Sequence, residues 1–145
     1  MIEKILVAID GSDHATRALD FALDIAQKYK AKVLLLTVVP PLFLPAPALN
    51  VMKSQAIADA SAELEESFRS ALSKVEEKAK GKTSLNVFTR IEHGNPDEVI
   101  VEAAKLGNFD MIVIGSRGLS HRDYALGSVS SRVAENAECP VLIVK

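Results

Sequence analysis

The sequence predicts an α/β fold: an open, five-stranded parallel sheet with helices on both faces. Three observations predict it. Five short runs of strand-forming residues alternate with four longer segments in which apolar residues recur at helical spacing. Several of the short runs are continuously apolar, as strands buried on both faces are. The segments between them are long enough to carry the helical crossovers that parallel pairing requires. The 145 residues, 48% hydrophobic and 25% charged, suit one domain over 1–145 better than two.

The first strand is Ile5-Leu6-Val7-Ala8-Ile9, followed by Asp10-Gly11-Ser12. Ser12 is placed to cap a helix whose stripe is Ala15, Ala18, Leu19, Ala22, Ile25, Ala26 and Tyr29. The second strand is Val33 to Val39, stopped by Pro40-Pro41. Residues 40–50 hold four prolines and read as a polyproline-type loop. That loop also carries Leu42, Phe43, Leu44 and Leu49, either as a lid or partner patch or, the preferred reading, folded over the second helix or into a dimer interface. The second helix presents Ile57, Ala60, Leu64, Phe68, Leu72, Val75 and Ala79, with Gly81 expected at its C-cap. Leu85 to Ile91 is the third strand. Asn95-Pro96-Asp97-Glu98 then combines an N-cap residue, a first-turn proline and an acid three residues after the cap. The helix it starts carries Val99, Ile100, Ala103, Ala104 and Leu106 and closes at Gly107. Met111 to Ile114 is the fourth strand. A glycine-rich loop leads to a helix over Ser128 to Asn136, and Val141 to Val144 is the fifth strand.

Composition narrows the function classes. Seventeen Lys and Arg against nineteen Asp and Glu give a net charge of −2, which disfavours nucleic acid or an anionic membrane as partner. No uncharged apolar run approaches the roughly 18 residues of a membrane span. The one cysteine, Cys139, excludes an intramolecular disulfide and fits a cytoplasmic setting. It reads as a small buried residue rather than a nucleophile. His14, His93 and His121 lack metal-ligand spacing, so no metal is assigned to protein side chains.

Ligands of open parallel sheets bind outside the carboxyl ends of the strands. Asp10-Gly11-Ser12, Val38-Val39-Pro40, Gly94-Asn95-Pro96 and Gly115-Ser116-Arg117-Gly118 stand there. A glycine turn after a strand offers backbone N–H groups unobstructed by Cβ atoms. Gly127-Ser128 opens a helix whose free N–H groups and positive dipole end attract an anion. Together they read as a polyphosphate clasp, with Arg117, Arg122 and His121 adding positive charge. Turn-shaping and capping alone explain the same glycines. Gly81-Lys82-Thr83 is not a P-loop, because the glycine needed five positions earlier is Glu76. Asp10 is either a ligand contact or a cap for the following turn.

The order and spacing of these pieces resemble the universal stress protein family over essentially the whole length. The matching segments are Ile5 to Ser12, Gly94-Asn95-Pro96, Gly115 to Gly118, Gly127-Ser128-Val129-Ser130, and the closing Cys139 to Lys145. The resemblance implies a Rossmann-like sheet of order 3-2-1-4-5, of the adenine nucleotide alpha hydrolase kind, and a homodimer through strand 141–144. In the family's nucleotide-binding branch it implies ATP, or ADP or AMP, between the first and fourth strands. Ala8, Ile9 and Asp10 would then meet the ligand, with Asp10 near the ribose or phosphates and Val38 along the adenine. The backbones of Gly115, Arg117 and Gly118 would hold ribose and phosphates. Gly127, Ser128, Val129 and Ser130 would grip the terminal phosphates, with Mg²⁺ or Mn²⁺ carried by phosphate oxygens. One departure stands out: eight residues, Leu119 to Leu126, separate Gly118 from Gly127 where that branch has nine, and Asp123 lies among them.

The resulting expectation is a nucleotide-dependent dimeric switch of stress response or signalling, read by a protein partner. No general base can be assigned, so hydrolysis is expected to be weak or partner-dependent. The alternatives are a nucleotide-independent dimer of the same fold, or a partner-activated ATPase. An apolar final strand at a sheet edge supports dimerisation independently, since pairing with a second copy removes the open edge.

Overall fold

The computed structural model describes residues 1–42, 45–47, 53–84, 86–117 and 126–145. The elements follow in the order β1 (Lys4–Ala8), α1 (Asp13–Tyr29), β2 (Lys32–Val39), α2 (Ser54–Lys82), β3 (Val87–His93), α3 (Pro96–Leu106), β4 (Met111–Gly115), α4 (Ser128–Asn136) and β5 (Val141–Val144). The strands form one sheet of order β3-β2-β1-β4-β5, with every neighbouring pair parallel. Both the fold class and the strand order are as expected. Phe43, Leu44, Leu49, Leu85, Gly118, His121, Arg122 and Asp123 lie outside the described residues.

The run of apolar residues in β1 explains its place at the centre. Strand side chains alternate between faces, so Ile5 and Val7 join Val33 and Leu35 in one core, while Leu6 and Ala8 join Leu34 and Leu36 in the other. The first core is closed by α1 and α2, the second by α3 and α4. Ile5, Leu6, Val7, Val33 and Leu35 have no exposed surface. Moving outward from β1 to β3 and then back to β4 reverses the winding between β1 and β4. Crossovers leave to opposite faces there, which opens a crevice at the carboxyl edge.

Several boundaries differ from expectation. Tyr29 is 48% exposed and Leu106 is 74% exposed, because each ends its helix at the rim of the sheet; Leu23, not Tyr29, completes the α1 stripe. Gly81 is not a cap: α2 continues to Lys82, and Thr83 leaves in extended conformation toward β3, so no left-handed residue is needed. The left-handed C-cap falls instead at Lys30 of α1, with φ 58°. β3 begins at Val87 and runs to His93, two residues later than expected at each end.

The proportions of α2 matter for the site. Its 29 residues make a rod about 43 Å long, whereas the eight residues of β2 span about 26 Å. Only Leu72, Val75 and Ala79 are buried; Ile57, Ala60, Leu64 and Phe68 continue the same stripe but stay half-exposed. The N-terminal half of α2 therefore extends past the carboxyl edge of the sheet. Among the described residues, no helix is long and apolar enough to cross a membrane.

Candidate functional site

A cleft of about 260 Å³ opens at the carboxyl ends of β1, β2 and β4. Its floor is the end of β1, where Ala8 and Ile9 lead into Asp10. Gly11 turns the chain with φ +89°, a conformation that favours glycine, and α1 starts at once. Here the protein supplies its own anion. Asp10 Oδ1 accepts from the Ser12 N–H (2.9 Å) and from the Ser12 hydroxyl (2.6 Å), while Ser12 Oγ accepts from the Ala15 N–H (3.2 Å). Asp10 thus performs the turn-capping role and also lines the cleft. Its Oδ2 makes no hydrogen bond among the described residues.

The fourth strand enters from the other side. Gly115 is its last residue, paired with Val144. A Cβ there would stand 2.7 Å from His14 Cβ and 2.8 Å from the His14 carbonyl carbon. The first turn of α1 packs directly on this bare backbone, so Gly115 is required by helix–strand contact, whatever the ligand. Ser116 then organises the rest. Its N–H donates to the Val144 carbonyl (2.7 Å), and its own carbonyl accepts from the Gly127 N–H (2.7 Å) and the Ser130 hydroxyl (2.8 Å).

These bonds fix which donors of α4 remain. The Gly127 N–H is already engaged, and the Ser130 hydroxyl donates to Ser116 and Gly127 carbonyls. The N–H groups of Ser128, Val129 and Ser130 begin the helix and have no acceptor among the described residues, as the first turn of a helix leaves them. Gly127 is the N-cap, provides no side-chain cap, and no acid stands in the first turn. Arg117, half-buried, lines the same end of the cleft.

The opposite end is apolar. Leu36 and Val38 project from β2, Pro40 follows, and Pro96 and Ile100 arrive from α3. Phe68 reaches the cleft from α2. Thr37, which lies between Leu36 and Val38 in sequence, is itself buried, and its hydroxyl donates to the Ile9 carbonyl (2.8 Å), tying the ends of β1 and β2 together.

Ten of the residues expected at the site therefore meet in one cleft: Ala8, Ile9, Asp10, Val38, Gly115, Arg117, Gly127, Ser128, Val129 and Ser130. Gly118 lies outside the described residues. Pro96, from the strand-end segment Gly94-Asn95-Pro96, also lines the cleft, whereas sequence reasoning missed the organising role of Ser116 and the walls built by Phe68 and Ile100. Cys139 sits half-buried outside the cleft, and burial pushes its thiol pKa up, with the Asp110 charge acting in the same direction. His93 is also outside, its Nε2 3.1 Å from Glu65 Oε1. No cluster of metal-ligating side chains occurs among the described residues.

The chain matches the family model described as "Universal stress protein family" over residues 1–145. Universal stress protein YxiE of Bacillus subtilis (strain 168) is 34% identical over 149 aligned residues, covering 100% of each chain. Among solved structures, the universal stress protein UspA from Lactobacillus plantarum is similar with a TM-score of 0.85 and 30% identity, over 99% of this chain and 98% of that one. A universal stress protein in complex with cAMP is similar with a TM-score of 0.73 and 28% identity, over 99% and 97%. The universal stress protein from Archaeoglobus fulgidus in complex with dAMP gives 0.65 and 26%, over 100% of each chain.

Proposed function

The chain belongs to the universal stress protein family, and from that premise we propose that it is a nucleotide-binding switch holding an adenine nucleotide between β1 and β4. One observation carries this reading: the cleft is apolar at one end, and at the other it presents a helix start with no cap of its own. A nucleoside phosphate has the same polarity, with a planar apolar base at one end and an anion at the other. The two relatives whose structures contain cAMP and dAMP support the ligand class.

In this reading Val38 lies along the base, and Ala8 and Ile9 form the floor beneath the ribose. Asp10 turns its unengaged oxygen to a ribose hydroxyl. Gly115 and Arg117 follow the ribose and phosphates, and the N–H groups of Ser128, Val129 and Ser130 hold the phosphate oxygens. Gly127 contributes close approach rather than a donor. The nucleotide is ATP, or its products ADP and AMP. Asp10 is the single carboxylate among the described lining residues, and one of its oxygens is engaged by Ser12. That donor set fits Mg²⁺ or Mn²⁺ carried in on the phosphates, where the ion would offset their charge, rather than an ion held by the protein.

The switch acts as a homodimer in a cytoplasmic setting and is read by a protein partner. β5 pairs with β4 on one side, and Val141, Leu142 and Ile143 are half-buried at its open edge. A second copy covers that edge. In this reading the protein binds its nucleotide, and any hydrolysis is weak or depends on a partner.

The test is direct. Denaturing the purified protein and chromatographing the extract should release ATP, ADP or AMP, and titration calorimetry with Mg²⁺ present should show one site per chain. An empty extract together with no heat for any adenine nucleotide would overturn the reading. It would favour instead a nucleotide-independent dimer, the alternative that the eight-residue spacing before Gly127 supports. Light scattering separates dimer from the 15.6 kDa chain.

A further inference from the structure

The base end of the cleft has a component that strand-end motifs do not reveal. α2 packs on β2 and β3, so Phe68 reaches the cleft on the side of Leu36, Val38 and Pro40, away from the start of α4. One turn later Leu72 is 4% exposed, a core residue, whereas Phe68 is half-buried. It also borders a second groove, of mixed polarity, where Thr16, Ser67, Ser70 and Lys74 stand beside Ala71 and Val75, with Asp10 common to both. Its ring is thus a partition between two solvent-accessible spaces rather than filling for the core.

The opposing wall comes from the other layer. Pro96 and Ile100 belong to α3, on the opposite face of the sheet from α2. A planar group entering at the carboxyl edge is therefore enclosed between an aromatic ring and an aliphatic surface. Phe68 is the single aromatic among the described lining residues. Aromatic rings in such slots recognise heteroaromatic bases by stacking and leave sugar and phosphate to other contacts.

Resting on the nucleotide reading above, we propose that Phe68 is the base-contacting specificity residue of the cleft, and that α2 takes part in ligand recognition through it. The ligand feature it reads is the aromatic base, not the ribose phosphate.

The experiment compares AMP with ribose 5-phosphate, which lacks the base, by calorimetry and by displacement at millimolar concentration. Phe68→Ala should weaken AMP about tenfold and leave ribose 5-phosphate within about twofold. Phe68→Leu, which keeps apolar volume but no ring, should show the same split and serves if the alanine variant does not fold. The chain contains no tryptophan, so Phe68→Trp introduces a single reporter; AMP should quench its fluorescence and ribose 5-phosphate should not. Equal losses for both ligands, or unchanged AMP affinity in the leucine and alanine variants, would overturn the assignment while leaving nucleotide binding intact. Failure of the unmodified protein to bind any nucleotide would bring down the underlying reading as well.

Discussion

α1 and α4 both begin at the cleft, yet their first turns are finished in opposite ways. At α1 the chain provides Ser12 as cap, Asp10 behind it and Asp13 in the first turn. At α4 it provides Gly127, no side-chain cap and no acid. A helix start concentrates positive partial charge on unsatisfied N–H groups, and something must answer them. The first terminus is answered from within the chain and so contributes to folding. The second is anchored through Ser116 and Ser130, which take up the Gly127 N–H but leave those of Ser128, Val129 and Ser130 open. Rigid support combined with open donors is what an anion site needs.

The contrast can be broken most severely at Gly115. Gly115→Val drives side-chain atoms into the backbone of His14, and should cost about 2–3 kcal/mol of stability by urea unfolding. An unchanged midpoint would mean α1 does not depend on that bare backbone. Ser128→Pro tests the other terminus. Proline suits the first helical position, and the extended Gly127 ahead of it (ψ 156°) accepts a following proline, so the helix survives while one donor is lost. Nucleotide affinity should fall about 10- to 100-fold, since hydrogen bonds to charged groups contribute about 1.5–3 kcal/mol, with the unfolding midpoint nearly unmoved. Retained affinity would remove the Ser128 N–H from the site.

Ser12→Ala is the converse experiment. It should cost about 1 kcal/mol of stability with little change in nucleotide affinity, and a large affinity loss would show that α1's cap also serves the ligand. Gly127→Asp gives α4 a cap like that of α1; φ of −62° admits any residue. The free protein should gain a few tenths of a kcal/mol while nucleotide binding weakens, opposite signs that a purely structural glycine would not produce. The smallest effect concerns how α1 is tied to α2. A hydrogen bond from Lys82 holds the Asp20 carboxyl below its ordinary 3.8, helped by Lys78 and opposed by partial burial. Because the folded pKa is depressed, the contribution is present above pH 3.8 and lost as pH falls through the folded value. The pair is largely exposed, so Asp20→Asn should cost only a few tenths of a kcal/mol at neutral pH, with the difference narrowing in acid. A difference that does not narrow would reject that linkage.

Much of this was legible in the residues. The buried runs Ile5–Ile9 and Val33–Val39 announce central strands, and Ser12 announces its cap, because local chemistry decides both. The cleft residues were legible as strand-end motifs. What escaped reading depends on where an element stops relative to its neighbours. Tyr29 and Leu106 fit their helical stripes but fall at the rim of the sheet. Gly81 has a cap's composition, yet the chain leaves extended and needs none. Phe68 sits in an unbroken stripe with Leu72, and periodicity alone cannot say where the sheet beneath it ends. The mismatch in length between α2 and β2 is the signal that would have found it. Asn95 starts α3 as expected, although its side chain contacts Glu98 at 3.4 Å rather than capping the backbone.

That same mismatch makes α2 a lever. From Leu72 to Lys82 it packs on the sheet, and Glu65 still reaches His93 at the end of β3; from Glu65 back to Ser54 it runs about 16 Å further, at 1.5 Å per residue. A tilt of about 8° about that last contact carries Ser54 through about 2 Å by the same helix geometry. A displacement too small to notice at the base would arrive at the far end large enough for another molecule to detect.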